Sequence, residues 1–289
     1  DDYNVLQTLY KLESMSEGSD QDELFDVGTL FGDPSNSHGD SKHPFVYEWP
    51  EPDTNKDNSF YTSAPKGKVE LSLPDTDAID LMAHHVWEAA IQMSNLIVQG
   101  RIPVQDMHVL ELGAGAALPS IVAGYCKPKI IVATDYNDNA IVENMKTNVS
   151  AHFPLGHTMN ACGYTWGENP KDLLDLTGDH GGFDVILLAD TLWLLDQHES
   201  LMASLDALLH PVGKVYLTFQ HHKGNAPRFF ELARSEKYGF QTVFSELIPW
   251  GGRSLEEFDD EDAETYGPVH FRIMNRSKAS HEAENLKKK

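Results

Sequence analysis

Cysteine is nearly absent. Cys126 and Cys162 are the only two in 289 residues, too few for a disulfide framework, and a reducing compartment is expected, with the cytoplasm as the location. Long hydrophobic runs are missing as well. The best candidate, "DVILLADTLWLL", is broken by Asp190 and falls short of the ~18 apolar residues a membrane span needs. The N-terminus lacks the basic-then-apolar stretch of a secretory signal, and it opens on Asp1, from which the natural start is expected to have been removed. Basic residues are scarce: 22 Lys and Arg stand against 45 Asp and Glu, a formal net charge of −23. Nucleic acid binding through phosphate neutralisation is therefore excluded.

The negative charge is unevenly placed. Residues 1–80 carry 18 acidic and 5 basic side chains, more than half of the net charge in little over a quarter of the chain. A second acidic run holds Glu256, Glu257, Asp259, Asp260, Glu261, Asp262 and Glu264 without a basic residue. Such segments serve solubility, or they attract a basic protein partner. Residues 1–67 read as a partly disordered extension with apolar anchors at Phe45, Val46, Tyr47 and Trp49, and residues 276–289 as a polar tail.

Between the two lies an ordered core. "GKVELSLP" alternates Val69, Leu71 and Leu73 and predicts a short strand. Ile79, Met82, Val86, Ala90, Met93 and Ile97 recur at spacings of three and four, predicting one helix capped by Asp77 and ended by Gly100. Beyond Arg101, the runs "HVLEL", "IIVAT", "FDVILLA" and "KVYLTF" suit buried parallel strands. Helical segments near 116–125, 138–151, 196–209 and 226–237 alternate with them. The alternation predicts an α/β fold on a mostly parallel sheet. "FQTVFSEL" and "VHFRIM" add a late antiparallel hairpin across the acidic run.

The strongest motif is "VLELGAGAALPS", where Gly113 and Gly115 follow a buried strand and precede a helix. Glycine serves where the backbone turns sharply or a ligand approaches the main chain. Leu118 occupies the third position of a dinucleotide fingerprint, which is therefore incomplete. Glu111, two residues before Gly113, would repel a phosphate and suits a cationic ligand such as S-adenosylmethionine. An ordinary βα turn is the alternative. Asp135 ends the next strand, 22 residues after Gly113, where a carboxylate can accept both ribose hydroxyls. It can equally cap the helix that starts near Asn139.

With "HHVWEAA", "ATDY", "YTWG", "LLADTLW" and "LTFQHHK" in the same order, the sequence resembles the family 16 seven-β-strand methyltransferases. Within them it is most similar to the fungal elongation-factor methyltransferase 7 group, once called nicotinamide N-methyltransferase-like. The resemblance spans residues 68–275. It implies a class I (Rossmann-like) seven-stranded sheet with helices on both faces. It also implies that Trp87, Glu111, Gly113, Ala114, Gly115, Asp135, Tyr136, Trp166 and Ala189 bind S-adenosylmethionine and its product S-adenosylhomocysteine. Trp87 sits one step off the helix stripe, and Trp166 offers a flat face to adenine; core packing is the alternative for each. On the acceptor side, Asp190 can accept a hydrogen bond from an incoming amine or serve as a turn residue, and Trp193 borders the acceptor pocket. Thr191-Leu192-Trp193 departs from the Val-Tyr or Val-Phe of many relatives.

The implied acceptor is an amine of a basic protein, a lysine or the N-terminus, with elongation factor 1-alpha as the candidate. A small-molecule methyltransferase of the same fold is the runner-up. A silent binding subunit would have lost Gly113, Gly115 or Asp135, and all three are intact. No metal ligands are expected, because Gln220-His221-His222 alternates faces on a strand end and the other histidines show no ligand spacing.

Overall fold

The computed structural model describes residues 43–50, 68–74, 85–153, 158–220, 226–258 and 267–277. Expectations for residues 1–42, Asp77, Ile79, Met82, His221, His222 and the acidic stretch from Asp259 to Glu264 lie outside these residues.

Seven strands form one sheet. β3 (His108–Leu112), β4 (Ile130–Asp135), β5 (Met159–Gly163), β6 (Phe183–Ala189) and β7 (Leu209–Phe219) run parallel, and β8 (Phe240–Ile248) and β9 (Val269–Arg276) close one side antiparallel. The order is β5-β4-β3-β6-β7-β9-β8. It is the expected mixed sheet, and the late hairpin is present. A separate two-stranded sheet pairs β1 (Phe45–Glu48) with β2 (Lys68–Leu71).

Period-two alternation divides the core into two layers. Val109, Ile131, Ala133, Val185 and Leu187 face a cluster shared with α1 (Glu88–Val98), α2 (Leu118–Tyr125) and α3 (Asn139–His152). Leu110, Leu112, Val132, Ile186 and Leu188 face the other, shared with α4 (Lys171–Asp175), α5 (His198–Leu208) and α6 (Ala226–Arg234). Helices thus cover both faces, as a parallel sheet with apolar residues on both sides requires.

Several expectations are corrected. The helix expected from Asp77 begins at Glu88, with Trp87 as its N-cap in an extended conformation. The apolar spacing runs across the boundary because Val86, ahead of the helix, is buried in the same cluster as Met93 and Ile97. Its end is as expected: Gly100, at φ +69°, lets its N–H reach Ile97 O and that of Arg101 reach Leu96 O, a Schellman termination. β7 starts at Leu209, well before Lys214, and Pro211 and Gly213 sit where its pairing with β6 is irregular. Strand β9 runs to Arg276, which is buried and paired with Asp206, so the polar tail starts beyond it. Of the anchors, Phe45 and Tyr47 are buried, whereas Val46 faces outward on the alternate side of β1.

Candidate active site

The carboxyl ends of β3, β4, β6 and β7 meet in one place, and the Gly113 turn lies over them. Gly113 and Ala114 both donate their N–H to Thr134 O at 2.9 Å, which ties the turn to β4. Gly113 holds φ +75°, and a Cβ there would lie 2.8 Å from Thr191 Cγ2 and 3.3 Å from Trp166 Cζ2. Only glycine fits this backbone beside those two side chains.

Asp135 is fixed by main-chain donors on both oxygens. Gly115 N donates to Oδ2 at 2.6 Å and Tyr136 N to Oδ1 at 2.7 Å. Desolvation holds its carboxyl above the ordinary range, against those hydrogen bonds. The helix-cap alternative falls away, because α3 is capped by Asp138, whose carboxylate accepts from Ala140 N and Ile141 N. Each Asp135 oxygen keeps further lone-pair capacity at the sheet edge, half-buried beside the exposed Tyr136.

Glu111 points to the α2 layer and is fully buried. Its Oε2 accepts the N–H of Ser120, at 2.9 Å, and the Ser120 hydroxyl, so a strand carboxylate caps the first turn of α2. Oε1 has no hydrogen-bond partner among the described residues. Burial, with a smaller push from the Asp135 charge, raises the Glu111 carboxyl to about 8 despite the Ser120 hydrogen bonds.

Trp166 is half-buried on the loop after β5, and the loop is held to α5: Gly167 N donates to Ser204 Oγ at 2.8 Å, and Tyr164 OH lies 3.2 Å from the same oxygen. Thr218 Oγ1 donates to Ala89 O at 2.8 Å. That bond pins the first turn of α1, and Trp87 with it, to the carboxyl end of β7.

Ala189 ends β6, half-buried, paired with Thr218. Asp190 follows at φ +55°, a conformation Asp tolerates better than most residues. It is buried; its N–H donates to Thr218 O at 2.8 Å, and its Oδ1 accepts from Gln220 N at 3.3 Å. Asp190 therefore joins the exits of β6 and β7, and Trp193 lies half-buried just beyond it.

The structure brings Glu111, Gly113, Ala114, Gly115, Asp135 and Tyr136 together at the ends of β3 and β4, with Trp166 against Gly113 and Ala189, Asp190 and Trp193 along the β6 exit. Two residues that the sequence names only within longer stretches also shape the site. Thr191 is buried against Gly113, with its Oγ1 unpartnered among the described residues. Gln220 stands in sequence beside His221 and His222; its Nε2 donates to Gly267 O, which also accepts from Trp250 Nε1. Nothing in local sequence marks either, because both are defined by neighbours far along the chain.

The site fits S-adenosylmethionine. The Asp135 carboxylate, clamped with lone pairs to spare, matches a ribose diol. Burial keeps Glu111 largely protonated near neutral pH, so it braces the turn from the α2 side rather than offering a charge to a cation, and no Lys or Arg lies in the glycine turn to receive a phosphate.

A protein-family profile described as "Lysine methyltransferase" matches residues 68–236. The chain is 34% identical over 190 residues to the Protein N-terminal and lysine N-methyltransferase efm7 of Schizosaccharomyces pombe, covering 63% of this chain and 74% of that one. The protein of the same name from Candida glabrata is 32% identical over 220 residues, covering 73% and 84%. The Neurospora crassa protein is 31% identical over 240 residues, covering 77% and 78%. With the profile spanning more than half of the chain over the very strands that form the Gly113–Asp135 edge, the protein belongs to the lysine methyltransferase family and is an S-adenosylmethionine-dependent methyltransferase.

Proposed function

We propose that the protein methylates amino groups of another protein, an N-terminal α-amino group and a lysine, with elongation factor 1-alpha as the candidate substrate and the cytoplasm as the place. The relatives' names support an N-terminal and lysine acceptor. The net charge of −23 supports a basic partner. The observation that carries the cofactor half of the reading is the Asp135 carboxylate, clamped by Gly115 and Tyr136 above the buried Glu111. Residues 1–67 act in this reading as an acidic extension, the methyltransferase domain runs from Lys68 to Arg276 at the end of β9, and the remainder is a tail.

When bound, S-adenosylmethionine supplies a methyl carbon activated by its sulfonium. Asp135 takes the ribose hydroxyls, and Glu111, largely protonated near neutral pH, braces the glycine turn by holding Ser120 in the first turn of α2. Trp87, Gly113, Ala114, Gly115, Tyr136, Trp166 and Ala189 form the remaining wall. The protein's main task is alignment of a neutral amine lone pair with that carbon. A lysine, with an ordinary pKa of ~10.4, must shed a proton first, whereas an α-amino group at ~7.7–8.0 needs little help. Asp190 and Trp193 border the acceptor side: the carboxylate orients an amine N–H, and the indole walls the entry. After methyl transfer the acceptor ammonium would release its proton to solvent.

The test is incubation with methyl-labelled S-adenosylmethionine and a soluble lysate. Label is expected in a protein band, released from its N-terminal peptide and from a lysine peptide. Label confined to small molecules would overturn the protein-substrate reading.

A further inference from the structure

The edge of the sheet opposite the Gly113 turn carries a cluster that the methyl-transfer site does not use. His108 opens β3, Asp184 is the second residue of β6, and His180 ends the one-turn 3-10 segment Gly178–His180 just before it. Asp184 faces both imidazoles: Oδ2 lies 3.2 Å from His108 Nδ1, and Oδ1 lies 2.8 Å from His180 Nε2. Oδ2 also accepts the His108 backbone N–H at 2.9 Å, which fixes the carboxylate. One ligand atom from each of the three lies within 4.8 Å of the others.

We propose that His108, His180 and Asp184 form a binding site for a borderline divalent transition cation such as Zn²⁺. Two imidazoles and one carboxylate are a donor set that such ions prefer, and three protein ligands leave a fourth position for water. Calcium and magnesium, which seek oxygen ligands, do not suit it. The cluster also has an entry. The His108 side chain is 6% exposed, whereas Asp184 is 19% and His180 is 30% exposed, so a cation arrives from the His180 side.

Uptake requires one local movement. The rings of His108 and His180 are stacked, with centroids 4.0 Å apart and 15° between planes, and His180 stacks in turn on His210 at 4.4 Å. Parallel rings cannot both aim a lone pair at one ion, so the His180 ring must turn out of the stack. The ring is 30% exposed and can turn toward solvent, and Gly178 and Gly181 leave the turn around it open where a Cβ would stand. Binding then exchanges two imidazole–carboxylate hydrogen bonds for metal bonds, and each imidazole carries its proton on its other nitrogen. The cation ties the amino ends of β3 and β6 to the preceding turn, far from the methyl-transfer chemistry, so its consequence is stability.

The experiment uses the full chain, stripped with chelator and titrated with Zn²⁺ by calorimetry, with thermal unfolding in parallel. One equivalent should bind more tightly than any remaining sites, and saturation should raise Tm. His180→Ala, at a partly exposed position, should weaken that equivalent by roughly tenfold or more and remove the Tm shift. Asp184→Asn, which keeps an acceptor for the His108 N–H, should do the same. Absence of Zn²⁺ binding by the parent protein overturns the proposal. So does binding of equal stoichiometry and affinity in both variants, which would leave Asp184 as a hydrogen-bond clamp between imidazoles.

Discussion

Two carboxylates three residues apart, Asp135 and Asp138, show how much position decides at the scale of single residues. Asp138 caps a helix through Ala140 N and Ile141 N, whereas Asp135 is held at the sheet edge by Gly115 N and Tyr136 N. Asp138→Ala should cost about 1 kcal/mol of stability and leave cofactor affinity unchanged. Asp135→Asn should do the opposite: removal of a charge-assisted acceptor weakens S-adenosylhomocysteine by roughly ten- to a hundredfold, about 1.5–3 kcal/mol. Calorimetry alongside thermal unfolding separates the two, and an unchanged affinity in folded Asp135→Asn would refute the ribose assignment. Glu111 adds a pH signature. Burial lifts its carboxyl from the ordinary 4.5 to about 8, so the folded state holds this proton more tightly than the unfolded chain. Its contribution is complete below 4.5 and is lost as pH rises through about 8. The Tm of the ligand-free protein should therefore decline over that window. Glu111→Gln, which still offers an oxygen to Ser120, should flatten the decline.

Elements differ in how clearly they announce themselves. β6 is a near-continuous apolar run, and β3 a buried one broken only by His108 and Glu111, because both faces are buried, and such runs are visible in sequence without knowledge of their neighbours. β5, reading "MNACG", pairs only with β4 and buries little beyond Met159; it went undelimited because an edge strand has no such run. The start of α1 is hidden in sequence for a different reason. Side chains before and after a helix boundary can serve one core, so Val86 carries the period past the point where the backbone leaves it. The Gly113–Asp135 edge was legible, since strand, turn and carboxylate are each local in sequence. The His108–His180–Asp184 cluster was not, because parallel strands join residues more than seventy positions apart. The loop that carries Trp166 is likewise built by a distant partner, Ser204 on α5. Ser204→Ala should remove the acceptor of Gly167 N at a cost of about 1 kcal/mol and weaken S-adenosylhomocysteine, measured by calorimetry in the folded variant. Affinity equal to the parent protein would mean that Trp166 is positioned without this bond.

For the molecule as a whole, the proposed basic protein substrate would give the negative charge a role that salt can test. A field from 23 excess negative charges attracts a basic protein over distances that salt shortens, the Debye length being ~8 Å at physiological ionic strength. Neutralising Glu256, Glu257, Asp259 and Asp260 to Gln or Asn should raise KM for a basic protein substrate and flatten its salt dependence, with kcat and cofactor affinity nearly unchanged. A KM and salt slope identical to the parent would assign the run to solubility. The β1–β2 ribbon bears on how short a working version of this protein can be. The family profile begins at Lys68, yet Phe45 and Tyr47 lie in the same core as α1 and α2, and the Tyr47 hydroxyl donates to Asn95 Oδ1 at 2.8 Å. Burial of two such aromatic side chains stabilises by roughly 3–6 kcal/mol, a large share of the 5–15 kcal/mol that about sums up a domain's margin. A recombinant fragment that starts at Lys68 and keeps β8 and β9 would carry every residue of the candidate site and still express poorly, with Val69 and Leu71 laid open on an unpaired strand. One that starts just ahead of Phe45 should stay in solution.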